Sequence, residues 1–340
     1  MKWVHDYLAT NINTGAFATA YSLDTLKQRL ETERVVLPIC SLGTPVSTLT
    51  QLAPFVLPPL YHEALDGPLK TALLTRIQDC FPYYIGTSAR EVWSGEFEIV
   101  ELPVTSHPVD APADILAFSV DTAVEEHGPH LPLATDTLQS YGVLQRLQAT
   151  DSRLTLGPPV EYGHLTWGLP FGLSIDITPP LLTEYVARFA NAVTEWTRAA
   201  ALYVVDVHGS PVHRAAIQEG LEQSDVTRWA FRWLHEPLRE FAALRGDQHA
   251  GGVETALIHH LNDNLLDDRI WPGQLPDLTA RQMSFAEAIE IGDDLQRFID
   301  RVEAGHLNGI VGKIDNFYDV DAEVMLQRML QVAQEDLRTL

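Results

Sequence analysis

Glu125, Glu126, His127, His130 and Asp136 crowd into one short stretch, EEHGPHLPLATD, and carboxylates this close to imidazoles suit a divalent metal ion. In an extended segment residues i and i+2 point the same way, so Glu125 and His127 can converge on one ion. Pro129 and Pro132 block helix formation and stiffen the return that brings Asp136 back. Carboxylate with imidazole suits Zn²⁺, Mn²⁺ or Fe²⁺, and two carboxylates with histidines suit a pair of ions. On composition alone the same string serves equally as a solvated polar loop, with Asp136 capping the helix that follows it. Two later segments, Asp206-Val207-His208-Gly209-Ser210-Pro211 and His249-Ala250-Gly251-Gly252-Val253-Glu254, repeat these residue types. A covalent nucleophile finds no support: Ser174 and Ser210 lie in no elbow motif, and neither Cys40 nor Cys80 neighbours a histidine.

These residues need a frame, and the chain alternates short β-branched runs with longer runs of helical period. Strands are expected at Val35–Leu37, Phe97–Leu102, Ile115–Val120, Arg153–Leu156, Leu202–Val207 and Thr227–Trp233. Helices are expected at Leu23–Thr32, Leu69–Cys80, Thr137–Leu147, Leu181–Ala200, Val212–Gln223, Glu254–Leu261, Phe285–Glu303 and Glu323–Leu337. Ser22 and Ser284 have the character of N-caps, and Glu287 stands at the capping-box position after Ser284. Helices between apolar strands require crossover connections, hence a layered α/β/α domain with a mostly parallel sheet covered on both faces. In such domains ligands lie beyond the carboxyl ends of the strands, where Glu125 and His208 fall. Residues 1–95 hold no dense cluster of ligand-type side chains and read as an N-terminal extension or subdomain. Residues 96–340 hold all the chemistry and read as the metal-binding domain.

Charge narrows the partners. Lys and Arg number 23 against 46 Asp and Glu, a net charge of −23, which repels nucleic acid and anionic lipid surfaces. Neither is expected as a partner. No apolar run is long enough for a membrane-spanning helix, and the opening MKWVHDYLATNINTG lacks the apolar core of a signal peptide. With two cysteines outside any C-x-x-C pattern, the expectation is a cytoplasmic protein with reduced thiols.

The string EEHGPHLPLATDT resembles the signature of the creatininase (creatinine amidohydrolase) family, Glu-x-His-Gly-x-His-Leu-Pro followed by a Thr-Asp pair. Tyr203–Gly209 is similar to the family's strand running into Asn-Gly-His-Gly-Gly-Asn, with Asp206, Val207, Ser210 and Pro211 departing from it. His249–Ala256 resembles its His-Ala-Gly-x-x-Glu-Thr-Ser. Weaker echoes are Tyr162-Gly163 with Leu169–Gly172, and Gly309–Lys313. The resemblance spans about Asp114 to the C-terminus and implies a creatininase-like fold. It implies two divalent ions (Zn, Mn or Fe) held by Glu125, His127, Asp136 and His208, with Asp136 bridging. His130 is implied to act behind the ligands. His249 matches the family's catalytic histidine, and Glu254 a glutamate beside the metals. Creatininase itself has a glutamate two residues after the strand-end histidine, where this chain has Ser210. Glu254 is therefore expected as the fifth protein ligand, ahead of Asp206. The implied reaction is hydrolysis of a C–N bond in a small amide, cyclic amides included, by a metal-activated water, with His249 protonating the leaving nitrogen. Two other readings are a metal-binding homologue without catalysis that serves as a scaffold, and a hydrolase of a non-amide carbonyl substrate. The partners implied are a small-molecule substrate and further copies of the chain in a homo-oligomer.

Overall fold

Along β3 (Ile115–Ser119) and β5 (Ala201–Asp206) every residue is buried and all but the terminal Ser119 and Asp206 are hydrophobic, as strands covered on both faces require. The computed structural model describes residues 35–39, 65–86, 97–101, 112–122, 124–172, 174–262, 266, 278–315 and 317–340. In it, β3 and β5 form the centre of a four-stranded parallel sheet of order β4-β3-β5-β6, with β4 at Leu154–Leu156 and β6 at Trp229–Trp233. The register places Ile115 beside Leu154 and Ala201, and Leu202 beside Trp229. A separate parallel pair joins β1 (Val35–Ile39) to β2 (Phe97–Glu101).

Alternation divides the core in two. Ile115, Ala117, Ala201, Tyr203 and Val205 face one layer, with Leu144 of α2 (Thr135–Thr150), Leu257 of α6 (Gly252–Leu261) and Met329 of α9 (Ala322–Leu337). Leu116, Phe118, Leu202 and Val204 face the other, with Leu73 of α1 (Gly67–Gly86), Val186 of α3 (Pro179–Thr197) and Ile217 of α4 (Pro211–Gln223). Burying such a side chain contributes roughly 1.5–3 kcal/mol. The result is the expected layered α/β/α arrangement. Helix α1 lies within the first 95 residues and packs into the second of these clusters.

Several elements differ from expectation. The single helix expected over Phe285–Glu303 is two, α7 (Phe285–Ile291) and α8 (Leu295–Gly305). Gly292, at φ +60°, ends the first, and the Asp294 side chain accepts from Arg297 N to start the second. A short helix, α5 (Arg239–Arg245), follows β6 where none was expected. Pro179 begins α3 two residues early, at the first helical position where proline's missing N–H costs nothing. Ser284 caps α7 through Glu287 N, as its spacing suggested. The helix expected at Leu23–Thr32, its cap Ser22, and Cys40 lie outside the described residues. Cys80 is reduced and buried. Among the described residues no helix is long and apolar enough to cross a membrane.

Candidate metal centre

The carboxyl edge of the sheet carries the chemistry. Beyond β3 come Asp121, Thr122, Glu125 and His127; beyond β5 comes His208; and Asp136 enters from the first turn of α2. Asp136 does not cap α2: the cap position is Ala134, which makes no side-chain bond, and Asp136 lies inside the helix at 1% exposure. Its carboxylate is turned instead to the histidines. His127 Nε2 is 3.3 Å from Asp136 Oδ1, and His208 Nδ1 is 2.9 Å from Glu125 Oε2 and 3.5 Å from Asp136 Oδ2. The Thr122 hydroxyl lies within reach of both carboxylates, 2.7 Å from Asp136 Oδ2.

Each histidine has one ring nitrogen committed to a main-chain oxygen. His127 Nδ1 lies 3.1 Å from Glu125 O, His208 Nε2 3.0 Å from His164 O, and His249 Nε2 2.7 Å from Glu126 O. A carbonyl can only accept, so these nitrogens carry the hydrogen, and the opposite nitrogens turn lone pairs towards carboxylates. Acceptors facing acceptors need a positive charge between them. Between His127 Nε2 and Asp136 Oδ1, 3.3 Å apart and both buried, either a proton or a metal ion supplies that charge. A shared metal ion fits well: two ligands at 2.0–2.2 Å in tetrahedral arrangement sit roughly 3.4 Å apart. Two donor groups have the spacing to hold an ion, Glu125/His127/Asp136 and His127/His249/Glu254.

The electrostatics agree. Burial alone would lower the His127 pKa, but Asp136 and Glu125 outweigh it and hold it up at about 10; His208 is likewise held well above its ordinary range. Burial would raise Asp136, yet His127 and His208 hold it well below the usual carboxylate range. Both shifts describe an anionic pocket that attracts a cation.

Glu125, His127, Asp136, His249 and Glu254 fall into these two groups, while His208 lies in neither and meets the site through Glu125 and Asp136. Glu254 joins through the second group, although its Oε2 also accepts from Ala250 N at 2.6 Å. His130 stands behind, its Nε2 2.9 Å from the Thr255 hydroxyl. His249 is held by main-chain bonds in both directions to Val311, part of the weak C-terminal echo. In that segment Gly309 takes φ +87° and lies so close to the Glu126 carboxylate that a Cβ would fall on it. The sequence did not single out Asp121 or Thr122, and it gave His164 no role. An Asp-Thr pair directly after an apolar strand was the available signal for the first two.

A sequence model described as creatinine amidohydrolase matches residues 116–329. The chain belongs to the creatininase family. Two curated relatives are mycofactocin precursor peptide peptidases. The one from Mycobacterium ulcerans (strain Agy99) is 30% identical over 168 residues, 46% of this chain, and the match spans 62% of that relative's length. The one from Mycolicibacterium smegmatis (strain ATCC 700084 / mc(2)155) is 26% identical over 204 residues, 58% of this chain and 72% of its own. Among solved structures, a creatininase carrying one Trp→Phe substitution superposes with TM-score 0.50 at 17% identity, covering 66% of this chain and 91% of that one. At that identity the likeness shows the creatininase fold alone.

Proposed function

We propose that this chain is a metal-dependent amidohydrolase that cleaves a C–N bond at a centre of two divalent ions. The observation that carries the reading is the repeated pattern of histidines, each donating to a backbone carbonyl and turning its other nitrogen towards carboxylates. Glu125, His127, Asp136 and His208 would hold the ions, Asp136 offering one oxygen to each histidine, and Glu254 would supply the fifth ligand. Bound there, Zn²⁺, Mn²⁺ or Fe²⁺ acidifies water and polarises a carbonyl.

The rest of the work falls to the chain. Thr122 fixes the two carboxylates relative to each other. His249 has 21% of its side chain exposed, against 11% for His208 and 1% for His127, so it is the histidine of the site most open to a substrate. With Nε2 spent on Glu126 O, it presents Nδ1 to the site, 3.9 Å from Glu125 Oε1, where that atom would take up the proton released by the attacking water and pass it to the leaving nitrogen. We place the substrate among small amides, cyclic ones included. The likeness to precursor peptide peptidases favours a peptide amide as the second reading. The site belongs to residues 96–340, with 1–95 as an N-terminal extension or subdomain, in a cytoplasmic homo-oligomer.

The test is elemental analysis followed by turnover. Purified protein should carry close to two divalent ions per chain, and Asp136→Ala should lose more than one of them. A panel of small cyclic amides, linear amides and short peptides should then find a substrate whose hydrolysis stops on chelation. Metal content that stays near zero after incubation with Zn²⁺ or Mn²⁺ refutes the reading.

A further inference from the structure

The loop that carries His208 is gripped on both sides by carboxylates that are not themselves members of the metal-spaced groups. Asp121 and Asp206 are both fully buried, an expensive placement for ionisable groups that calls for a compensating role. Asp121 Oδ1 accepts from Val207 N at 2.8 Å, and Asp206 Oδ2 accepts from Gly209 N at 3.2 Å. The two main-chain N–H groups flanking His208 therefore both end on buried aspartates. Asp121 is itself fixed, because its own N–H donates to Val160 O at 3.1 Å. The register of β3 on β5 pairs Ser119 with Val205, so the Asp121–Val207 bond continues the ladder one step past the strand ends through a side chain. On the other side Trp233 Nε1 donates to Val207 O at 3.2 Å, and the same indole closes over Gly209, at φ +75°, leaving no room for a Cβ.

We propose that Asp121 and Asp206 are positioning residues for metal binding, a two-carboxylate clamp that fixes the backbone on either side of His208. The clamp aims Nδ1 of His208 at Glu125 and Asp136. It acts by accepting hydrogen bonds, so a carboxamide at either position retains it and a methyl group does not. The inference rests on the reading of His208 as a metal ligand, and the clamp itself is measurable without metal.

The experiment compares Asp121→Ala, Asp121→Asn, Asp206→Ala and Asp206→Asn with the unaltered chain. One measurement is hydrogen–deuterium exchange of the peptide spanning 202–210 in metal-free protein, with peptides from α9 as the control for global folding. The other is calorimetric titration with Zn²⁺. In the alanine variants exchange across 202–210 should rise about tenfold with α9 unchanged. Zn²⁺ affinity at one site should fall by about 10–100-fold, the scale on which partners behind a ligand act. Both asparagine variants should stay close to the unaltered chain. Alanine variants that keep both properties overturn the proposal, as do asparagine variants as impaired as the alanines, since the effect would then be charge and not the clamp. If Asp121→Ala fails to fold, Asp206→Ala, which removes the longer bond, carries the same comparison. Should the unaltered chain take up no Zn²⁺, the metal reading falls, and the exchange measurement alone decides the clamp.

Discussion

His249 is the most exposed histidine of the site, with its ring 4.4 Å from that of His127 but its backbone on a different segment, paired with Val311. Removing its side chain should therefore spare the Glu125/His127/Asp136 group. His249→Ala is expected to retain the ion of that group while turnover falls by about 10²-fold or more, the scale of a general acid. Turnover unchanged on a confirmed substrate would remove His249 from the role. Glu254 makes a different case, since it stands with His127 and His249 as a donor group. Glu254→Gln should weaken one metal position selectively. Ser210→Ala should leave both filled, because the Ser210 hydroxyl caps α4 by accepting from His213 N and makes no contact with the carboxylates in the described structure. Equal metal content in Glu254→Gln and the unaltered chain would count against the fifth ligand. At this scale the motif residues were legible because their types and spacing are distinctive in one dimension. Asp121 was not, because its use is to bond Val207, 86 residues away, and spacing along the chain says nothing of that.

The elements were read best where burial is two-sided. The apolar runs of β3 and β5 fall within a residue or two of the expected spans, because every position there must satisfy a core face. Parallel order also followed from the helices between strands. The order of the strands in the sheet did not, since short apolar strands carry no label for their neighbours. The break between α7 and α8 was missed because apolar spacing runs on across it, while Gly292 and the Asp294 cap act locally. That cap reaches the site indirectly: Phe298 and Val302 of α8 pack with Val311, the residue that pairs with His249. Asp294→Ala should cost about 0.5–2 kcal/mol in denaturant unfolding, the usual range for losing an N-cap. No measurable loss would mean that α8 is held by packing alone.

For the molecule as a whole, the question is what ties α1, from the first 95 residues, to the layer that supports the site. Part of the answer is apolar, through Leu69, Leu73 and Ile77. The polar part is an exposed ion pair, Arg188 with Asp66 at 3.2 Å, which contributes little, and one buried carboxylate. The Arg76 guanidinium bonds Asp176 through its side chain, and Nε donates to Asp176 O at 2.8 Å. Asp176 Oδ1 accepts from Leu165 N at 2.9 Å and lies 3.1 Å from His164 Nδ1. His164 in turn offers its carbonyl to His208, so the chain of bonds runs from α1 to the candidate metal centre. Burial alone would raise the Asp176 pKa, but His164, the Leu165 N–H and Arg76 together lower it below its ordinary value of 3.8. Above pH 3.8 the carboxyl is ionised folded and unfolded, and its full contribution to stability is present. As pH falls below 3.8 the unfolded chain takes up the proton first, so stability declines until the folded carboxyl is protonated too. Asp176→Asn should therefore be less stable than the unaltered chain at pH 6 and lose less between pH 4.5 and 2.5, so the two curves converge in acid. Parallel curves of unfolding free energy against pH across that window would show that Asp176 is not what fastens α1 to the rest.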